Sequence, residues 1–164
     1  MGKFSEEFVL GNIYAPLTLT IFTNPYCAPC AVTHEAIENL LLHFQEDIKI
    51  IVRFAVHPHL AHARNPIVKH LLYLYKYEGQ EKATEALTAW YAQSKKEYIS
   101  WAKLFSATLG EGINEILEEH LAWGRSADIE STPTIFVEGY QLTSPYQISD
   151  LKYFIKQVSH SYTT

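Results

Sequence analysis

Leu17-Thr18-Leu19-Thr20-Ile21-Phe22-Thr23, broken by Asn24-Pro25-Tyr26 and continued by Cys27-Ala28-Pro29-Cys30, is the stretch whose reading decides the fold. The first seven residues alternate and are rich in β-branched and aromatic side chains, which predicts a strand. Asn24-Pro25 interrupts the ladder. From Cys27 the pattern turns helical: Val32, Ala36 and Leu40, with Ile37, Leu41 and Phe44, recur at helical spacing. Pro29 is tolerated in the first turn, where its missing N–H has no intrahelical partner to lose. A second strand follows at Ile48–Val56, with Ile48, Ile50, Val52, Phe54 and Val56 on one face. Strand, helix and strand make a βαβ unit, which implies parallel pairing and a crossover helix.

Beyond it the chain reads as helices only, from about Asn65 to Asp128. Asn65-Pro66 reads as an N-cap followed by Pro, Ile67, Leu71 and Leu74 as a buried stripe, and Glu78-Gly79 as the stop. Ala83, Ala86, Leu87 and Trp90 mark a second helix. Tyr98, Trp101, Ala102 and Phe105 mark a third, and Ile113, Ile116, Leu117 and Leu121 a fourth. Strand character returns at Thr134-Ile135-Phe136-Val137. Glu138-Gly139 turns the chain toward Tyr140-Gln141-Leu142 as a hairpin partner. Ser144-Pro145 is expected to open a last helix carrying Ile148, Leu151, Ile155 and Val158. The expected fold class is α/β, ordered β-α-β, helical insertion, β-β-α, as a single domain over residues 1–164 with the insertion at 62–128.

Composition narrows the function. The 164 residues are 48% hydrophobic and 19% charged, enough to build one core. A net charge of −5 argues against a nucleic-acid partner. No apolar run of membrane-spanning length is present. Met1-Gly2-Lys3-Phe4-Ser5-Glu6-Glu7 lacks the apolar segment of a signal peptide, which leaves a cytoplasmic protein or a processed or excised piece of an exported one. The two cysteines, three positions apart, exclude a disulfide framework.

Cys27 and Cys30 sit where a strand runs into a helix. Free N–H groups there stabilise a thiolate, the reactive form of cysteine, and lower a free thiol from ~8.5 to roughly 3.5–7.5. One thiol attacks and the other, within the same turn, resolves. The competing readings are inert structural thiols, or half of a zinc site completed by His34 or by the His57, His59, His62 cluster. His34 is expected on the helix surface, and the histidine run in a solvated loop. The dense aromatics Tyr73, Tyr75, Tyr77, Trp90, Tyr91, Tyr98, Trp101 and Phe105 are expected mostly as core of the inserted helices.

Three segments carry a family resemblance: Thr20 to Cys30, Thr132-Pro133-Thr134-Ile135-Phe136-Val137-Glu138-Gly139, and the lead-in Leu10-Gly11-Asn12 with Ala15-Pro16-Leu17. The chain resembles thioredoxin-fold thiol–disulfide oxidoreductases of the DsbA-like type over nearly its whole length. It is also similar, on fewer residues, to the thioredoxin-like domain fused to bacterial homologues of vitamin K epoxide reductase. The resemblance implies Cys27 as exposed nucleophile and Cys30 as buried resolving thiol. It implies a cis-proline loop at Thr132-Pro133 that meets an extended substrate together with Tyr26. Ala28 and Pro29 would tune the potential. It further implies no cofactor beyond the cysteine pair, no metal, and protein or peptide thiols as substrates. An extracytoplasmic, periplasmic setting is implied, as is a membrane redox partner of the vitamin K epoxide reductase, DsbB or DsbD kind. Two departures stand out. Ile21 occupies the position, six before the nucleophile, where thioredoxin and DsbA carry a buried acid. Tyr26 replaces the tryptophan that thioredoxin carries before its first cysteine. Ala-Pro is closer to thioredoxin's Gly-Pro than to DsbA's dipeptide, which leaves the direction of exchange open.

Overall fold

The computed structural model describes residues 6–108, 110–155 and 157. Strands β1 (Phe8–Gly11), β2 (Leu17–Thr23) and β3 (Ile48–Phe54), with helix α1 (Ala28–Phe44) between β2 and β3, form the first half. Helices α2 (Asn65–Glu78), α3 (Gln80–Ala92), α4 (Tyr98–Leu104) and α5 (Ile113–Ser126) follow, then the hairpin β4 (Thr134–Val137) and β5 (Tyr140–Gln141). The five strands make one sheet in the order β1-β3-β2-β4-β5.

The period-2 pattern sets the register. Leu17, Leu19, Ile21 and Thr23 are buried, and β2 runs parallel to β3 from Leu17 opposite Ile48 to Thr23 opposite Phe54. A one-residue slip would turn these side chains to the other face. On that other face Phe22 and Arg53, register partners, meet Trp123 of α5: the rings lie 5.9 Å apart and the guanidinium sits 5.3 Å over the indole. β4 joins β2 antiparallel, with Phe22 opposite Thr134. The two-residue turn into β5 has positive φ at Glu138 (50°) and Gly139 (84°), the conformation that matches the twist of a hairpin. Among the described residues no helix is long and apolar enough to cross a membrane.

Four expectations are corrected. Phe8–Gly11, of which only Leu10-Gly11 is expected, as part of a lead-in, is an edge strand antiparallel to β3. Asn65 does not cap α2. Its Oδ1 accepts the His57 N–H at 2.9 Å, and its Nδ2 donates to the carbonyls of His57, His59 and Leu60 at 3.2–3.3 Å. The buried amide thereby ties the histidine loop to the helix instead. The C-terminal helix does not start at Ser144-Pro145, whose peptide bond is cis. A 3₁₀ turn at Ile148–Asp150, closed by reciprocal Gln147 and Asp150 contacts, leads into helical residues 151–155. Ile148, Leu151 and Ile155 are buried, while Val158 lies outside the described residues. In α1 the buried face is Cys30, His34, Ile37 and Leu40, and Val32, expected on the stripe, is 69% exposed. Setting Cys30 inward fixes the phase of the helix, and positions four and seven further on follow it.

Candidate active site

The strand register builds the site. β2 delivers Asn24-Pro25-Tyr26 and then Cys27 at the centre of the sheet. The pair Phe22–Thr134 places Thr132-Pro133 directly across from that segment. The chain is held at the bend by Asn24: its Oδ1 accepts the Tyr26 N–H at 2.9 Å and its carbonyl accepts the Cys27 N–H at 3.0 Å. Cys27 is the extended residue that caps α1, and its sulfur accepts the Cys30 N–H at 3.3 Å. This is the donor geometry that favours charge on sulfur at a helix start.

The two thiols are free and their sulfurs lie 2.7 Å apart, Cys30 donating to Cys27. Cys27 is half-buried and Cys30 is 1% exposed, so of the two sulfurs Cys27 is the one open to solvent. Cys27 Sγ lies 3.5 Å from the Thr132 carbonyl, and the Thr132-Pro133 bond is cis. Burial pushes the Cys30 thiol up to about 11, and its neighbour Cys27 adds to the rise. The Asn24 N–H and the side chains of Thr23 and Thr132 pull it back. Ala28 and Pro29 are exposed on the first turn. Tyr26 is half-buried, with the Arg64 guanidinium 5.5 Å over its ring and Trp90 edge-on at 5.4 Å.

His34 is a correction. It is buried rather than on the helix surface, packed on Tyr91 at 5.0 Å between ring centres, with Nε2 3.0 Å from the Thr88 hydroxyl. It shares a small cavity wall with Cys30, Thr23, Ile21 and Tyr91. The histidine loop lies exposed as expected, except that His57 stacks on the half-buried His62 at 3.8 Å. Among the described residues no group of three or more His, Cys, Asp or Glu is placed to hold a metal ion. Sequence reasoning missed Thr23, Asn24 and Tyr91 beside the sulfurs. Asn24-Pro25 carried a usable turn signal, whereas Tyr91 was one aromatic among many and reaches the site only through the tertiary fold.

Of the three histidines buried among the described residues, His34, His70 and His120, the first and last give a pH prediction. Burial lowers His34 to about 4; burial and the Arg53 charge lower His120 to about 3. His120 Nδ1 accepts the Phe54 N–H at 3.0 Å, so the neutral ring is the one the fold uses. In the unfolded chain both titrate near ~6.5. As pH falls below that value the unfolded state takes up protons first, so the stability present above it is lost toward pH 4. The expected loss approaches roughly 1.4 kcal/mol per pH unit for each histidine. Urea unfolding between pH 6.5 and 5 should show it, with the slope reduced by one proton in His34→Gln. A midpoint flat across that window would refute the assignment.

Residues 3–157 match the family described as Thioredoxin, and the chain belongs to that family. Among curated proteins none matches it significantly. Its fold is similar to the catalytic domain of Proteus mirabilis ScsC, at 16% identity and TM-score 0.76 over 92% of this chain and 88% of that one. The thiol-disulfide exchange protein α-DsbA2 from Wolbachia pipientis is similar at 16% identity and TM-score 0.75, over 93% and 87%. A periplasmic thioredoxin-like protein from Salmonella enterica serovar Typhimurium is similar at 15% identity and TM-score 0.74, over 94% and 91%. The fold is thus the α/β thioredoxin fold with helices inserted between β3 and β4, as in DsbA-like structures.

Proposed function

We propose that this chain is a thiol–disulfide oxidoreductase acting on protein or peptide substrates. One observation carries the reading: two free thiols on a single helical turn, one half-exposed with an N–H aimed at its sulfur, the other buried behind it. In the reducing direction the Cys27 thiolate attacks a substrate disulfide. A bond forms between Cys27 and one substrate sulfur, and the other leaves as a thiolate that takes a proton from water. Cys30 then gives up its proton and attacks Cys27 Sγ. The Cys27–Cys30 bond forms, the second substrate thiol leaves, and two electrons have passed to the substrate. The reverse sequence oxidises a substrate dithiol. Thr132 supports an extended substrate through its backbone, beside Pro133 and Tyr26, and Ala28-Pro29 tunes the potential. The pair needs no cofactor beyond itself.

Residues 62–128 form a cap over the site within one domain: Trp90 and Tyr91 of α3 reach the cysteine segment. The likeness to DsbA-like folds, and to a protein described as periplasmic, supports an extracytoplasmic setting. A membrane redox partner of the vitamin K epoxide reductase, DsbB or DsbD kind belongs to the same proposal, on the motif resemblance alone. Equilibration with glutathione buffers tests the core claim. A single two-electron transition of the Cys27–Cys30 pair is expected, and its midpoint gives the direction. A value near ≈ −270 mV means a reductant and one near ≈ −120 mV an oxidant. Absence of any transition in the folded protein would remove the activity and leave a binding module.

A further inference from the structure

The resolving step needs negative charge on a buried sulfur, and Ile21 stands where a carboxylate would have assisted it. Behind Cys30 the wall is Ile21 and Thr23 from β2, Val52 from β3, His34 from α1, and Leu87 and Tyr91 from α3. The titratable groups facing the sulfur are therefore Cys27, His34 and Tyr91. β2 and β3 bring none, and Thr132 comes from the loop before β4. The cavity measures ≈ 10 Å³, at the lower limit for one water. Polar service must come from the protein itself.

The Asn24 N–H reaches Cys30 Sγ at 3.5 Å, Thr132 lies on the open side, and two further hydroxyls stand on the buried wall. Thr23 shares the cavity wall with Cys30, its hydroxyl drawing the thiol down from the value burial alone would set, and its Oγ1 lies 2.7 Å from the Tyr91 hydroxyl, buried. Tyr91 has a second acceptor, the Asn24 carbonyl at 3.3 Å. Each hydroxyl has one proton to give and lone pairs to accept with. Two arrangements therefore satisfy the chain. With Cys30 as thiol, its one proton goes to Cys27, Tyr91 donates to Asn24, and Thr23 donates to Tyr91. With Cys30 as thiolate, Tyr91 donates to Thr23 and Thr23 donates to sulfur. Only O–H rotations separate the two.

We propose that Thr23 and Tyr91 form a hydroxyl relay that stabilises the Cys30 thiolate for the resolving step, in place of a buried carboxylate. Thr23 lines the cavity beside the reacting sulfur, and Tyr91 is a positioning residue acting through it. The Cys30 proton leaves on the open side, past Cys27, which lies 2.7 Å away and is half-buried, to solvent water; burial and the sulfur charges hold the Tyr91 phenol well above its ordinary value, which makes it a donor and not a base. The relay rests on the oxidoreductase reading, and the test separates them.

The full reduced chain is mixed with Ellman's disulfide, which releases a coloured thiolate at each of two steps. The first reports attack by Cys27, the second resolution by Cys30. Thr23→Val should keep the rate and pH profile of the first release. It should slow the second about tenfold at neutral pH and move its profile to higher pH, since a hydrogen bond to a charged group is lost. Tyr91→Phe should act in the same direction by about threefold, the Thr23 hydroxyl remaining. Thr23→Ser should restore the second release to within about twofold. Second-release rates and profiles unchanged in both Thr23→Val and Tyr91→Phe would overturn the relay while exchange stands. Absence of a first release in the unmodified chain would overturn exchange and the relay together.

Discussion

Cys27→Ser is expected to abolish exchange, with a rate loss on the order of 10³-fold or more, while Cys30→Ser should accumulate substrate as stable mixed disulfides. The asymmetry follows from exposure. A substrate sulfur can reach half-buried Cys27 but not Cys30, which is 1% exposed. Replacing the Cys30 side chain leaves its backbone N–H in place, so the 3.3 Å contact to Cys27 Sγ survives and attack proceeds. Release then has no internal nucleophile. Gel shifts of protein that has been acid-quenched and alkylated show the trapped species, and added dithiothreitol dissolves them. Exchange retained by Cys27→Ser, or an absence of trapped species in Cys30→Ser, would move the nucleophile elsewhere. The glutathione transition alone cannot make that distinction, because either order of attack gives the same oxidised pair.

Local patterns in the sequence were enough to set much of this site. The alternation in Leu17–Thr23 and Ile48–Phe54 fixed two parallel strands in register, and the turn residues Glu138-Gly139 fixed the hairpin. Together these determine that residues 132–133 face the helix start, which is most of the site's geometry. Misreadings arose where polar groups overrode pattern. His34 occupies a core position of α1 because Tyr91 stacks on it and Thr88 satisfies its Nε2, partners contributed by α3 and invisible in the α1 sequence. Asn65 has the composition of a cap, yet four loop hydrogen bonds satisfy its amide better. Strand β1 escaped notice because four residues give too little alternation to read. Tyr91 and Thr23 needed α3 to be brought against the end of β2 before they could meet.

Trp90 links that packing to the chemistry, and its truncation should cost roughly 3–5 kcal/mol. The indole is fully buried. Its Nε1 donates to the Pro25 carbonyl at 2.7 Å, and its ring meets Tyr26 edge-on at 5.4 Å and Trp101 at 5.6 Å. The inserted helices thus grip the segment between β2 and Cys27. Trp90→Phe keeps most of the apolar contact but loses the N–H and leaves the Pro25 carbonyl unpaired, which should cost about 1–3 kcal/mol. Trp101 offers the control. It is 1% exposed and donates to the Ala86 carbonyl at 2.8 Å, within the helical segment and away from the cysteines. Trp101→Ala should therefore destabilise about as much as Trp90→Ala in urea. In whatever fraction stays folded, Trp101→Ala should exchange at the parent rate, whereas Trp90→Ala should be slowed because Asn24-Pro25-Tyr26 loses its brace. Equal exchange rates in the two folded variants would mean that the insertion supports the site only through global stability.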